Sequence, residues 1–271
     1  MTKQYLVFTD LDSTMLDHDD YSYEPVRPLV HELEDRCIPL IFNSSKTQVE
    51  SLHLREELDN RHPFIFENGG GLAIPGGYFH HIMHDMTPED DYLVQLFGAD
   101  YGSIRRILLS LREEKGYRFT GLGDMDEDEI NKHTGLSGAA AERSWLRRSS
   151  EPLLWQGDED SLKDFTHDLH EHGLKLVRGG RFLHVMGRTD KGRAMKWLLA
   201  QYRQLFLKPL HIIALGDSDN DRPMLVLAET AIVIPHRDGP HLELDHADWM
   251  IADAPAPEGW CHGLEQALQR I

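Results

Sequence analysis

Short apolar runs alternate with amphipathic stretches at both ends of this chain, and that rhythm restricts the fold more than any other feature. Residues 5–9 read as a buried strand. Residues 24–36 carry Val26, Leu29, Val30 and Leu33 at helical spacing. Residues 38–42 are a second strand, 47–58 a second helix, and 64–66 a third short strand closed by ENGGG. A βαβαβ order predicts a parallel sheet with helices on its faces. The rhythm returns late in the chain, with helices expected over 191–201 and 222–228 and strands over 211–215 and 231–234. From about residue 85 to 187 the pattern changes. That stretch holds an acid-rich segment (DMDEDEINKHTG), a basic turn (ERSWLRRSSEP) and a Gly-Arg segment (VRGGRFLHVMG). Candidate strands there cover 117–120, 153–155, 175–178 and 181–185. The expected fold class is α/β: a Rossmann-like parallel-sheet core over residues 1–84 and 188–271, with an inserted α+β domain over 85–187.

Asp10 and Asp12, in FTDLDSTML, stand at the end of the first strand with only Leu11 between them. In an extended chain they point the same way, and ligands of open α/β sheets bind at that strand end. Two neighbouring acids call for a cation, or for chemistry that gives each a different task. Alone, such a pair is equally a loop or capping pair. In IFNSSKT, Ser44 and Ser45 follow the second strand and open a helix, where a hydroxyl and free amides suit a phosphate; an N-cap serine is the plainer alternative. Lys191, in GRTDKGRAM, starts a helix, where a cation is misplaced unless it faces an anion. In ALGDSDNDRPML a strand breaks at Gly216 and delivers Asp217, Asp219, Asn220 and Asp221 into one turn. That oxygen-rich set suits a hard cation such as Mg²⁺, and no Cys or His cluster suits zinc. The acidic run 124–129 reads as a solvated helix start.

With 46 acidic against 28 basic residues, the net charge of −18 disfavours nucleic acid and anionic membranes as partners. An anionic small molecule stays possible where a few cations or a metal reverse the local field. Cys37 and Cys261 form neither a metal-ligand spacing nor a disulfide framework. With no leader-like segment and no apolar run near the ~20 residues of a membrane span, the expected setting is the cytoplasm.

The order D-x-D, Ser, Lys, GDxxND, each at a strand end or helix start, resembles the haloacid dehalogenase superfamily over the parallel-sheet part. The inserted middle resembles the larger cap of its Cof-type branch, as do ENGG and the DKG helix. The resemblance implies that Asp10 is the nucleophile and that Asp12 is the general acid, then base. It implies that Ser44 and Lys191 hold the phosphoryl oxygens. Mg²⁺ would lie on the Asp10 carboxylate, the Asp12 backbone carbonyl and Asp217, with Asn220 and Asp221 orienting Lys191 and the metal's water. Ser45, Asn68, Gly69 and Asn220 fall beside these as substrate contacts, and Asp221 joins the metal set. Ser13 stands where the superfamily usually has glycine, and serine has less freedom at positive φ.

Within the middle, FTGLGDMDEDEI, TGLSGAAAERSWLRRSSEPLLW and RGGRFLHVMGRTDKG resemble the mannosyl-3-phosphoglycerate phosphatase family. So do TDLD and NSSKT, and the likeness runs over nearly the full length. It implies a sugar joined to 3-phosphoglycerate as substrate and a glycosylglycerate, a compatible solute, as product. Arg178 and Arg181 suit the carboxylate as a fork, with Gly179 and Gly180 allowing close backbone approach and Asp124 accepting sugar hydroxyls. A plain hairpin turn explains Gly179-Gly180 equally well. His184 reads as a packed strand histidine, and Arg147 and Arg148 as solvated helix charges. A sugar phosphomutase and a noncatalytic sugar-phosphate sensor are the alternatives. Mannose against glucose, and the oligomeric state, stay open.

Overall fold

Leu6 and Phe8 face one side of the first strand and Val7 the other, and all three are fully buried. Such a strand must be central, with helices on both faces. The computed structural model, which describes residues 3–80, 86–179, 181–206, 208–237 and 241–270, bears this out.

In chain order, β1 (Gln4–Thr9) leads through a 3₁₀ turn to α1 (Arg27–Asp35), β2 (Leu40–Phe42), α2 (Gln48–Glu57) and β3 (Phe64–Phe66). Then come β4 (Gly71–Pro75), β5 (Thr87–Glu89), β6 (Tyr92–Leu96), α3 (Tyr101–Lys115), β7 (Phe119–Gly121), α4 (Glu127–Thr134) and α5 (Ala139–Trp145). β8 (Ser150–Trp155), α6 (Glu159–Glu171), β9 (Leu174–Arg178) and β10 (Leu183–Gly187) complete the middle. The last part is α7 (Lys191–Leu205), β11 (Leu210–Gly216), α8 (Arg222–Leu225), β12 (Thr230–Val233), β13 (Trp249–Ile251) and α9 (Glu258–Gln269).

Five strands form one parallel sheet in the order β13-β12-β11-β1-β2. One face is covered by α1 and α9, through Leu29, Leu33, Trp260 and Leu264. The other is covered by α7 and α8, through Met195, Leu198, Tyr202 and Met224. β7, β8, β10 and β9 form an antiparallel sheet whose apolar side packs on α3 and α6, through Ile104, Leu108, Phe165 and Leu169. No described helix is long and apolar enough to cross a membrane.

One expected strand is placed differently. Residues 64–66 do not extend the parallel sheet as a third full strand. They touch it through a single parallel bridge, Asn43 to Ile65, and pair antiparallel with β4 in the sheet β3-β4-β6-β5. The ENGG turn reverses the chain straight after Phe66, so β4 takes the ladder. The boundary expected at residues 84 and 85 lies outside the described residues.

Candidate active site

The carboxyl ends of β1, β2 and β11 meet, stitched by Asp10 N to Leu215 O at 3.0 Å and Asn43 N to Thr9 O at 2.8 Å. Here Asp10, Asp217 and Asp221, all buried, each offer an oxygen within 4.8 Å of the others. Lys191 Nζ, fully buried, lies 2.7 Å from Asp10 Oδ1 and 2.5 Å from Asp221 Oδ1. So the lysine at a helix start does face anions. Asp221 folds back to accept from the backbone amides of Asp217 (3.0 Å) and Ser218 (3.2 Å). Gly216 permits this: a Cβ there would stand 2.5 Å from the Asp221 Cβ. Asp217 accepts from Thr14 Oγ1 at 3.0 Å and lies 3.2 Å from His236 Nε2.

Burial, then the neighbouring Asp221, lifts the Asp10 pKa to about 7, against the pull of Lys191. Burial, Asp221 and Asp10 push Asp217 well above the carboxylate range. Burial disfavours the Lys191 charge, yet Asp10 and Asp221 hold its pKa above the usual value. One ammonium cannot neutralise three enclosed carboxylates. An oxygen-only cluster with surplus negative charge fits a hard divalent cation.

Asp12 is outside that cluster. Its carboxylate pairs with Lys46 Nζ at 2.8 Å, and Lys46 also lies 3.9 Å from Glu50 and 4.8 Å from the Tyr21 ring centre. Ser13 adopts φ 62°, the conformation glycine would supply, and its Oγ is tied to His18 Nδ1 at 2.7 Å. Ser44 and Ser45 do not open the helix. α2 starts at Gln48 behind a capping box of Thr47 and Glu50, so both serines sit in the preceding loop. Ser44 is enclosed and accepts from Lys46 N at 3.2 Å, whereas Ser45 lines the cavity above Asp10. Asn68, at φ 55°, accepts from Asn220 Nδ2 at 3.0 Å. Gly69 abuts the start of α7, where a Cβ would stand 2.1 Å from Asp190 O, and its carbonyl accepts from Thr189 Oγ1 at 2.9 Å. Gly69 therefore seats the segment that carries Lys191, and Asn68 holds Asn220 in the turn after β11.

The middle of the chain supplies the cavity's other wall, and there the sequence reading needs correction. Asp124 does not line the cavity. Burial works against its charge, but Arg105 and Arg112, each at 2.5 Å, and Gly121 N at 2.9 Å hold its pKa at about 2. Its oxygens are occupied and cannot serve a sugar. Arg178 is exposed and also outside the cavity. Gly179 lines it and makes a turn, its N–H donating to Phe182 O at 2.9 Å; Gly180 lies outside the described residues. Arg181 reaches the cavity but is committed to Tyr21 Oη (2.5 Å), Thr134 O (2.9 Å) and His18 O (2.6 Å). The two arginines do not form a fork.

Arg147 and Arg148 are not solvated charges. Arg147 donates to Ser45 O at 2.9 Å and to Ser150, and Arg148 grips Glu89 and Gln48. His184 is packed, as read, yet it also lines the cavity. Three further residues were missed. Lys46 was legible, being a cation inside the quoted NSSKT loop. Glu67, fully buried, accepts from Arg148 N, Ser149 N and Ser150 Oγ at 2.7, 3.0 and 2.8 Å. An acid directly after an apolar strand was its only signal. Tyr21 had none.

A family model described as sucrose-6F-phosphate phosphohydrolase matches residues 155–269. A glucosyl-3-phosphoglycerate/mannosyl-3-phosphoglycerate phosphatase of Methanococcoides burtonii is 38% identical over 267 residues, covering 96% of each chain. Among solved structures, a haloalkanoate-superfamily phosphatase from Bacteroides thetaiotaomicron superposes with a TM-score of 0.68 at 15% identity, over 99% of this chain and 96% of that one. A subclass IIB sugar phosphatase of the same superfamily gives 0.65 at 14% identity, over 100% of both. At such identities the likeness to these structures is one of fold.

Proposed function

Because the chain belongs to the haloacid dehalogenase superfamily, within the family of glucosyl-3-phosphoglycerate/mannosyl-3-phosphoglycerate phosphatases, we propose that it hydrolyses a glycosyl-3-phosphoglycerate to the glycosylglycerate and phosphate. The chain is a phosphoric monoester hydrolase. The observation that carries the substrate reading is the end-to-end likeness to a phosphatase named for those two esters. We assign residues 1–84 and 188–271 to the catalytic core and 85–187 to the cap, and place the enzyme in the cytoplasm.

In the first step an Asp10 oxygen attacks phosphorus, the bond to the glycerate oxygen breaks, and an aspartyl-phosphate forms. Asp12 gives its proton to the departing alkoxide, then takes one from the water that attacks the aspartyl-phosphate and frees Asp10. Lys191, held between Asp10 and Asp221, neutralises charge on the transferring phosphoryl oxygens, with the loop of Ser44 and Ser45 as their second contact. The carboxylates of Asp10, Asp217 and Asp221, with the Asp12 backbone carbonyl, are the groups that would hold Mg²⁺; bound there, it supplies further charge neutralisation.

Phosphate release from glucosyl- and mannosyl-3-phosphoglycerate, measured beside simple sugar phosphates, tests the substrate. Selective turnover of either glycosyl ester is expected. Efficient turnover of another sugar phosphate with neither ester touched overturns the reading. Chelation and dialysis should abolish activity and added Mg²⁺ should restore it; full activity without metal would remove the cation from the scheme.

A further inference from the structure

We propose that Arg147 and His184, both from the inserted middle, form the subsite that selects a carboxylate on the substrate; this deepens the reading above and rests on it. Two of the cations on the cavity wall are already spent. Lys46 is committed to Asp12 at 2.8 Å, with Glu50 at 3.9 Å. Arg181 is committed to three oxygens within 2.9 Å.

Arg147 differs. Its Nε donates to Ser150 O at 3.1 Å, and its Nη2 to Ser45 O at 2.9 Å and Ser150 Oγ at 3.0 Å. Its Nη1 has no hydrogen-bond partner among the described residues. The nearest acid, Glu67, stands 3.8 Å from Nε, and its oxygens already accept from two backbone amides and Ser150 Oγ. The Arg147 side chain is only 5% exposed. It is thus a fixed guanidinium with one amino group unspent. Fixing matters, because a guanidinium already held in place loses little freedom when its remaining amino group binds an anion.

Its position suits a glycerate. The bond to Ser45 O places Arg147 beside the loop expected to hold the phosphate. In a 3-phosphoglycerate the carboxylate is separated from the ester oxygen by two carbons, so its receptor must stand close to the phosphate. His184, on β10, lines the same cavity and is 6% exposed, with Nδ1 unpartnered among the described residues. Burial, then the nearby Arg147 and Lys191, keeps the imidazole neutral, with a pKa of about 3. The neutral ring adds no second charge and carries one N–H, so a bound carboxylate selects the tautomer that donates to it. Arg147 supplies the charge that tells a carboxylate from a hydroxyl, and His184 a second donor.

The test uses a matched pair: the glycosyl-3-phosphoglycerate, and the same ester with its carboxylate reduced to hydroxymethyl. Arg147→Gln should lower kcat/KM on the carboxylate substrate by about 10- to 100-fold, mostly through KM, the scale of one lost charged hydrogen bond. The loss on the reduced analogue should be far smaller, so that the wild-type preference collapses. His184→Gln leaves the Arg147 hydrogen bonds in place and should lower the same preference by a few-fold, which keeps the test decisive if Arg147→Gln folds poorly. Equal losses on both esters would overturn the subsite. Should the enzyme hydrolyse only other sugar phosphates, the substrate reading fails by itself. Glycerate and glycerol then serve as competing inhibitors of that turnover. Inhibition by glycerate alone, lost in Arg147→Gln, supports the subsite, and equal inhibition by both overturns it.

Discussion

Asp10 is poorly placed to be charged unless something shares its site, since burial and Asp221 both oppose ionisation. That makes it a sensitive residue to change. Asp10→Asn preserves shape but would remove the proposed nucleophilic oxygen and proposed cation ligand together, so kcat should fall by several orders of magnitude with the circular dichroism spectrum unchanged. A variant keeping a tenth of wild-type kcat would show that Asp10 is not the nucleophile. His184 has a separate, structural signature. Its pKa falls from 6.5 to about 3 on folding, so between those values the unfolded chain binds more protons. Stability must therefore rise with pH across that window and be lost as the solution is acidified through it. Denaturant titrations at pH 4.5 and 7 should show a larger acid loss for wild type than for His184→Gln. At this scale the sequence was readable where a residue's place is set by its own strand end or helix start, as for Asp10, Asp217 and Lys191. It was unreadable where the task is set by distant partners. Asp124 looks like a free acceptor in DMDEDE and is consumed by Arg105 and Arg112.

The elements followed their periodicities because local pattern decides them. The continuous apolar run of β1, buried on both faces, and the spacing of Leu29, Val30 and Leu33 in α1 are local facts. Pairing is not local, which is why β3 was expected in the parallel sheet and is found antiparallel to β4. The start of α2 shows the same division. Thr47, rather than either serine, is its cap: Thr47 Oγ1 accepts from Glu50 N at 3.1 Å and donates to Arg143 O at 2.9 Å, on α5. One hydroxyl thus ends a helix and joins α2 to the inserted middle. Thr47→Ala should cost roughly 1–2 kcal/mol. At about 2–4 °C for each kcal/mol in a chain of this size, calorimetry should register a drop of several degrees. No change in Tm would mean that Glu50 and water replace the cap.

For the whole molecule, the question is what holds the inserted middle over the strand ends. Two seams are visible. Near the loop of Ser44 and Ser45, buried Glu67 collects the backbone amides of Arg148 and Ser149, while Arg147 holds Ser45 O. Across the cavity, Arg181, in the turn between β9 and β10, binds His18 O and Tyr21 Oη in the loop after β1, and its guanidinium lies 5.4 Å from the Tyr21 ring centre. The first seam ties the two parts with enclosed groups. The second depends on an exposed arginine and a half-buried tyrosine, so we expect it to be the side that opens for substrate. Arg181→Ala removes charged hydrogen bonds worth about 1.5–3 kcal/mol to the closed form, a loss of about 10- to 150-fold in kcat/KM if closure precedes chemistry. Because closure serves every substrate, the loss should be similar for a glycosyl-3-phosphoglycerate and a plain aryl phosphate. Tyr21→Phe should give a milder version, since the ring that covers Lys46 is kept. Arg178→Ala should change little, Arg178 being exposed and outside the cavity. Steady-state kinetics of the three variants on both substrates decides the matter. A loss in Arg181→Ala confined to the glycerate ester would return Arg181 to substrate recognition and leave the cap without this latch.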